Sequence, residues 1–287
     1  MKKKISLRVN DEVRSLLGGL KLRTICTEAL CPNISECFAL RRATFLVLGS
    51  VCTRDCGFCN VAHGRPAPPD PGEPERVAEA CRRLGLRHAV VTSPTRDDLP
   101  DGGAFAFVRT VSAVRQLAPA PTVEVLIPDF GGDRAALAAV AAAGPDVIAH
   151  NLETVERLYP ARNRGPGPGA DYRRSLAVLA ALRELAPGLK TKSGLMLGLG
   201  EREEEVRETF ADLRAAGCSF LSLGQYLPPT RRHLPQRRRY AQADFDRLRE
   251  EALALGFAHV ESGPFVRSSY RAGDYLDGEN DTRHVGM

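Results

Sequence analysis

Apolar positions along the chain cluster into short runs separated by longer segments of helical spacing. The first run, Ala43-Thr44-Phe45-Leu46-Val47-Leu48-Gly49, is rich in large and β-branched residues and ends in glycine, which reads as a buried strand. Similar runs lie at 88–93, 123–127, 146–150, 190–197 and 219–225. Between them the apolar period lengthens from about 2 to about 3.6 residues, and the pattern predicts helices near 74–84, 104–117, 133–143, 171–186, 202–216 and 242–255. Six strand–helix alternations imply a parallel sheet with helices outside, an α/β fold of the sort that curls into part of a (β/α) barrel. Residues 1–22 read as a short arm with an amphipathic piece around Val13, Leu16, Leu17 and Leu20. Pro66 to Pro74 reads as a connector, and Arg162–Gly169 as a flexible Gly/Pro-rich stretch.

Polar clusters recur where strands should end: Thr92-Ser93 with Arg96-Asp97-Asp98, Pro128-Asp129, His150-Asn151-Glu153, Lys192-Ser193 and Gln225-Tyr226. In a barrel these ends face one cavity. After the first strand stand Cys52, Cys56 and Cys59, spaced C-x3-C-x2-C. Three thiolates can hold three irons of a [4Fe–4S] cluster that normally takes four cysteines, which leaves one iron open to a small ligand. Free cysteines are often core residues, but the interleaved Arg54, Asp55 and Gly57 argue against that here. Zinc is the rival, since Cys56-x2-Cys59 followed by His63 resembles a knuckle, although C-x3-C is foreign to the common structural zinc spacings. A second triplet, Cys26, Cys31 and Cys37, is again one ligand short of four. Pro32 and Asn33 mark a turn there rather than a packed element, so a second metal centre is expected, its last ligand coming from elsewhere. Cys81 and Cys218 read as structural, and His63 as a plain loop histidine.

Composition narrows the setting. With 43% hydrophobic and 26% charged residues, the 287-residue chain has the profile of a folded soluble protein, one large domain or two small ones. Six of the eight cysteines fall between Cys26 and Cys59, unlike a disulfide framework. No apolar segment of signal-peptide or membrane-spanning kind follows Met1-Lys2-Lys3-Lys4. A reducing cytoplasm, with no membrane partner, is therefore expected, and clustered cysteines there mean metal or catalysis. The net charge of +5 is mild and does not demand nucleic acid.

The cysteine loop after the first strand resembles the signature of the radical S-adenosylmethionine enzymes, and Gly194-Leu195-Met196-Leu197-Gly198-Leu199-Gly200-Glu201 resembles their G-x-[IM]-x-G-x-x-E stretch. The upstream triplet narrows the resemblance to the lipoyl synthase family. Cys31-Pro32-Asn33-Ile34-Ser35-Glu36-Cys37, Arg96-Asp97-Asp98-Leu99-Pro100-Asp101-Gly102-Gly103, His150-Asn151-Leu152-Glu153-Thr154-Val155 and Arg267-Ser268-Ser269-Tyr270 carry it further, over nearly the whole chain. Thr92-Ser93 depart from the Gly-Gly-Glu of many radical enzymes, and Pro94 stands where an aliphatic residue is expected.

The resemblance implies a partial (β/α)6 TIM-like barrel over 43–262, an N-terminal extension (1–42) with the auxiliary cysteines, and a C-terminal extension (263–287) with the Arg-Ser-Ser-Tyr motif. It implies two [4Fe–4S] clusters. Cys52, Cys56 and Cys59 would hold the catalytic one, which chelates S-adenosylmethionine and cleaves it to a 5′-deoxyadenosyl radical. Cys26, Cys31 and Cys37 would hold the auxiliary one with Ser268 or Ser269, of which Ser269 is favoured. Asn151 and Glu153 would meet the cofactor's ribose or amino-acid end, while Gly198 and Gly200 would let backbone approach its adenine. Glu153 also reads as a carboxylate beside a helix N-terminus. Lys192 and Arg267 would orient substrate or cluster, or else hold a solvated or salt-bridged place. The implied reaction inserts sulfur at C6 and C8 of an octanoyl chain linked to a carrier-protein lysine, the auxiliary cluster giving up its sulfides. The implied partners are that octanoylated carrier domain and an electron donor such as a ferredoxin or flavodoxin, with the enzyme a monomer. The basic run Arg231-Arg232-His233 and Arg237-Arg238-Arg239 is a solvated face or a dock for an acidic carrier, with nucleic acid third. Two other functions compete. A methylthiotransferase would place its auxiliary cysteines in a separate domain, yet only 14 residues lie between Cys37 and Cys52. A zinc-stabilised nucleic-acid module would rest on the basic run.

Overall fold

The structure is a computed structural model that describes residues 7–164 and 169–276. All six expected strands form: β1 (Thr44–Leu46), β2 (His88–Thr92), β3 (Thr122–Leu126), β4 (Val147–Ala149), β5 (Lys190–Leu197) and β6 (Phe220–Gln225). An amphipathic helix α1 (Leu7–Gly19) precedes them, and α2 (Glu73–Leu84), α3 (Ala104–Arg115), α4 (Arg134–Ala142), α5 (Tyr172–Leu185), α6 (Glu203–Ala215) and α7 (Gln242–Ala254) alternate with them. Each helix boundary lies within two residues of the periodicity reading, because local chemistry sets the ends. α2 opens with a proline in its first turn beside Glu73 and Glu75, and it stops where Gly85 adopts a left-handed φ of 63°.

A seventh strand, β7 (His259–Gly263), pairs parallel with β6 and was not expected. Its sequence offers one large apolar residue, Val260, too little for a periodic signal. The seven strands run parallel in chain order, β1 to β7, and the two-residue strand Arg23–Thr24 adds antiparallel to β1. Among the described residues no ladder joins β7 back to β1, so the barrel is partial and keeps an open seam.

The seam is filled by the two extensions. Val13, Leu17 and Phe38 share one core with Phe45 and Val77, which seats the N-terminal extension on the barrel. The segment after β7 then crosses the interior. Asn33 Nδ2 donates to the Phe265 carbonyl at 2.6 Å, Tyr270 Oη lies 3.3 Å from Glu36, and Arg42 pairs with Asp274 at 3.2 Å. Gly224 admits this segment because the Val266 carbonyl occupies the place a Cβ would need. At the far end Tyr275 packs 4.8 Å from the Phe220 ring, and its hydroxyl meets Lys192 Nζ at 3.0 Å. Lys192 also pairs with Glu124 at 3.0 Å, both fully buried, so of its two expected roles the structure gives it the salt bridge. Residues 1–6 and 277–287, and the centre of the stretch expected to be flexible, lie outside the described residues. No helix among the described residues is long and apolar enough to cross a membrane.

Candidate active site

The cysteine loop leaves β1 through Gly49, whose φ of 86° turns the chain over the strand ends. It is then pinned from both sides. Val51–Cys52 pairs with Ala62–His63, and Asp55–Cys56 pairs with Asn163–Arg164, so part of the stretch expected to be flexible is a backbone partner of the loop. From beyond β6, Leu234 N donates to the Gly57 carbonyl at 2.9 Å and the His233 ring meets the Cys59 carbonyl at 3.0 Å.

Arg54, between the first two cysteines, is the central clamp. It reaches Asp97 with Nε (2.9 Å) and Nη2 (2.7 Å), and Asp129 with Nη1 and Nη2, both at 2.8 Å. Arg174 of α5 backs Asp129 at 2.8 Å. Burial works against charge on both partners, yet the hydrogen bonds win: Arg54 is held above and Asp129 well below its ordinary value. Arg54→Met is expected to cost about 3 kcal/mol in urea unfolding of the metal-free chain, the lower end for breaking a buried pair because Arg174 remains. Arg54→Lys should recover only part of it, since an ammonium cannot bridge two carboxylates with a fork of donors. Asp129's depressed value means that its contribution is present above the ordinary 3.8 and lost as pH falls below it.

Both cysteine triads line one cavity of about 820 Å³. In the first, burial pushes the Cys59 thiol up to about 12, with Cys56, Cys52 and Glu153 adding to it. In the second, burial raises Cys26 and Cys31 and takes Cys37 to about 12, where Cys26, Cys31 and Glu36 add to it. Cys59 in the first triad and all three thiols of the second are thus held back from ionising, a cost that a bound cation would offset. The zinc-knuckle alternative is not assembled: His63 is exposed, its Nδ1 3.6 Å from Asp55. Among the described residues no three His, Cys, Asp or Glu side chains converge as the ligands of a single ion would.

Of the remaining expected residues, Asn151, Glu153, Arg267, Ser268 and Ser269 line the same cavity. Asn151 Nδ2 donates to Glu153 Oε1 at 3.0 Å and to Ser268 Oγ at 2.5 Å. Glu153 adopts a left-handed φ of 71°, a strain of about 1–3 kcal/mol for such a residue, and backbone bonds to Gly194 and Met196 hold it there. It is not a helix N-terminal carboxylate. Arg267 lines the cavity, and its Nη1 donates to the Val266 carbonyl at 2.6 Å. Burial lowers its pKa, and nearby Cys31 and Glu153 offset part of that. Ser269 lines the cavity with no side-chain hydrogen bond among the described residues, whereas Ser268 is engaged by Asn151. Gly198 and Gly200 do not line the cavity; their α-carbons face Gln225 and Arg238 in one case and Arg237 in the other. The Glu201 carboxylate gathers the amides of Gly198, Leu199 and Gly200 at 2.5, 2.9 and 3.0 Å, so the glycine–glutamate stretch closes on itself as a turn. Cys81 and Cys218 are buried in helix and strand-edge packing, as expected. Ser93, among the strand ends expected to face the cavity, lines it with a buried Oγ that has no hydrogen-bond partner among the described residues; sequence reading gave it no role because it looked like a departure from the glycine-rich pattern.

The profile of the radical SAM superfamily matches residues 46–213. The lipoyl synthase of Geobacter metallireducens is 60% identical over 279 residues, covering 97% of this chain and 96% of that protein. This chain belongs to the lipoyl synthase family. The lipoyl synthase of Rubrobacter xylanophilus, 55% identical over 91% of this chain and 80% of its own length, extends that family likeness to a second genus. Among solved structures, methylornithine synthase (PylB) superposes with a TM-score of 0.56 at 13% identity, covering 95% of this chain and 88% of that one. Coproporphyrinogen III oxidase (HemN) from Escherichia coli, described as a radical SAM enzyme, gives 0.52 at 18% identity over 73% of this chain and 51% of its own. These two show the fold alone, and it is the partial barrel expected for a lipoyl synthase.

Proposed function

We propose that the chain inserts two sulfur atoms, at C6 and C8, into an octanoyl chain carried on a lysine of a lipoyl carrier protein. One observation supports this reading above the others: six cysteines, in two triads separated in sequence, line the same cavity. Family membership brings two [4Fe–4S] clusters and S-adenosylmethionine, and the donor sets fit them, since soft thiolates suit iron and each triad is one ligand short. When bound, these groups supply hydrogen-atom abstraction from unactivated carbon and the sulfur that replaces it. Cys52, Cys56 and Cys59 hold the catalytic cluster in a loop fixed by Arg54. Cys26, Cys31 and Cys37 hold the auxiliary cluster, with Ser269 as its fourth ligand. The free hydroxyl of Ser269, beside an engaged Ser268, favours that choice. Asn151 Oδ1 and Ser93 Oγ, buried and without a hydrogen-bond partner among the described residues, would accept from the amino-acid end of S-adenosylmethionine, with Glu153 next to Asn151. Gly198 and Gly200 act on cofactor binding only through the turn they share with Glu201. The 1–42 and 263–287 extensions serve to bring the auxiliary ligands over a 43–262 barrel. A ferredoxin or flavodoxin supplies the electrons to a monomeric, cytoplasmic enzyme.

The test is anaerobic reconstitution followed by reaction with an octanoyl-lysine peptide, S-adenosylmethionine and a chemical reductant. Mass spectrometry should show a product carrying two added sulfur atoms. A methylthiolated product, or a colourless zinc protein with no cleavage of S-adenosylmethionine, would sink the reading.

A further inference from the structure

The loop from Tyr226 to Tyr240, between β6 and α7, carries five arginines, and they divide sharply. Arg238 is exposed but neutralised: its Nη2 lies 3.1 Å from Glu203 and its guanidinium 4.2 Å from the centre of the Tyr240 ring. Arg231, Arg232, Arg237 and Arg239 are all exposed, and among the described residues none meets a carboxylate at ion-pair distance. Several other arginines do find a partner. Arg157, Arg173, Arg207 and Arg247 each engage a glutamate at 3.1 Å or less. Four unneutralised like charges on one loop repel each other and add nothing to the fold.

The loop is not a loose tail. Tyr226 Oη donates to the Leu234 carbonyl at 2.8 Å, Arg237 N to the Gly198 carbonyl at 2.7 Å, and Gln225 Nε2 to the Arg238 carbonyl at 3.0 Å. Leu234 and His233 tie it to the cysteine loop, as described above. Its first residues, Leu227, Pro228 and Pro229, line the cavity. The four charges are therefore displayed from a rigid frame at the cavity's rim. Both aromatic residues of the loop, Tyr226 and Tyr240, are buried, so it offers no stacking platform for bases and favours a protein surface over nucleic acid.

We propose that Arg231, Arg232, Arg237 and Arg239 dock the acidic face of the lipoyl carrier domain, setting it over the rim so that its acyl-lysine arm enters the cavity. The proposal rests on the functional reading above for the identity of the partner. A docked face at the rim serves a substrate whose reactive carbons sit at the end of a long arm, because it fixes where that arm starts.

The test compares wild type with a variant in which all four arginines are serine. Two measurements are made: binding of an octanoylated lipoyl carrier domain of net negative charge, and turnover of that domain against a short octanoyl-lysine peptide without acidic residues. The variant should bind the domain about 10–100-fold more weakly at low ionic strength and lose most of the salt dependence. Its kcat/KM on the domain should fall by a similar factor, while turnover of the peptide and dithionite-driven cleavage of S-adenosylmethionine stay within about twofold. Domain binding that ignores the four substitutions overturns the proposal. So does a variant whose only defect is cleavage driven by a protein electron donor, which would assign the face to that donor. A wild type that binds the domain through these charges yet sulfurates neither substrate would remove the functional reading and leave the docking face standing.

Discussion

Cys56→Ala is expected to reduce cleavage of S-adenosylmethionine to background and to remove about half of the roughly eight irons a fully loaded chain would hold. Cys56 lies in the two-residue strand paired with Asn163–Arg164, beside a loop clamped by Arg54. The substitution removes a ligand without loosening that frame, so the metal-free variant should unfold at nearly the same urea concentration as wild type. Chromatography of methionine and 5′-deoxyadenosine under dithionite, beside iron analysis, checks both halves. Cleavage that persists in Cys56→Ala, and likewise in Cys52→Ala and Cys59→Ala, would take the catalytic role away from this loop.

The second large effect separates the two triads. Cys31→Ala should still yield 5′-deoxyadenosine, at close to the wild-type rate, but no doubly sulfurated peptide. Cys31 sits in the turn whose Asn33 holds the Phe265 carbonyl, away from the clamp on the catalytic loop. The serines refine this prediction. Ser269→Ala should lose sulfur insertion at least about tenfold while keeping cleavage, as expected of a ligand to a sacrificial cluster. Ser268→Ala removes one of the two acceptors of Asn151 Nδ2, so its effect should show as weaker binding of S-adenosylmethionine. If the two serine phenotypes are exchanged, the ligand is Ser268. If normal product forms in Cys31→Ala, the auxiliary triad is not the sulfur donor.

The barrel was legible because parallel strands buried on both faces leave continuous apolar runs, as in Phe45 to Leu48 or Leu195 to Leu197. β7 was hidden for the converse reason: His259, Glu261 and Ser262 stay half exposed, and its pairing with β6 is fixed by tertiary context. Within the site, the cysteines were visible because spacing alone marks them. Arg54 stood between them, but its partners Asp97 and Asp129 lie 43 and 75 residues away, and only folding brings them together. Gly198 and Gly200 show the limit of motif reasoning, since a glycine signals close backbone approach without saying to what. Here the approach is to Gln225, Arg238 and Arg237. Lys192 was open between two roles until Glu124, on a strand 68 residues earlier, was placed beside it.

Residues 264–276 leave the ribosome after every strand of the barrel, and with the N-terminal extension they fill its seam. Until that segment has been released and has threaded between Asn33, Gly224 and Lys192, the chamber has one wall missing. With Ser269 as its proposed last ligand, the auxiliary site is complete only once the whole chain has left the ribosome, and the cysteine loop meets its own last partners, His233 and Leu234, only after β6. A stalled product ending before Val266 would lack the wall that Asn33, Gly224 and Lys192 otherwise hold in place.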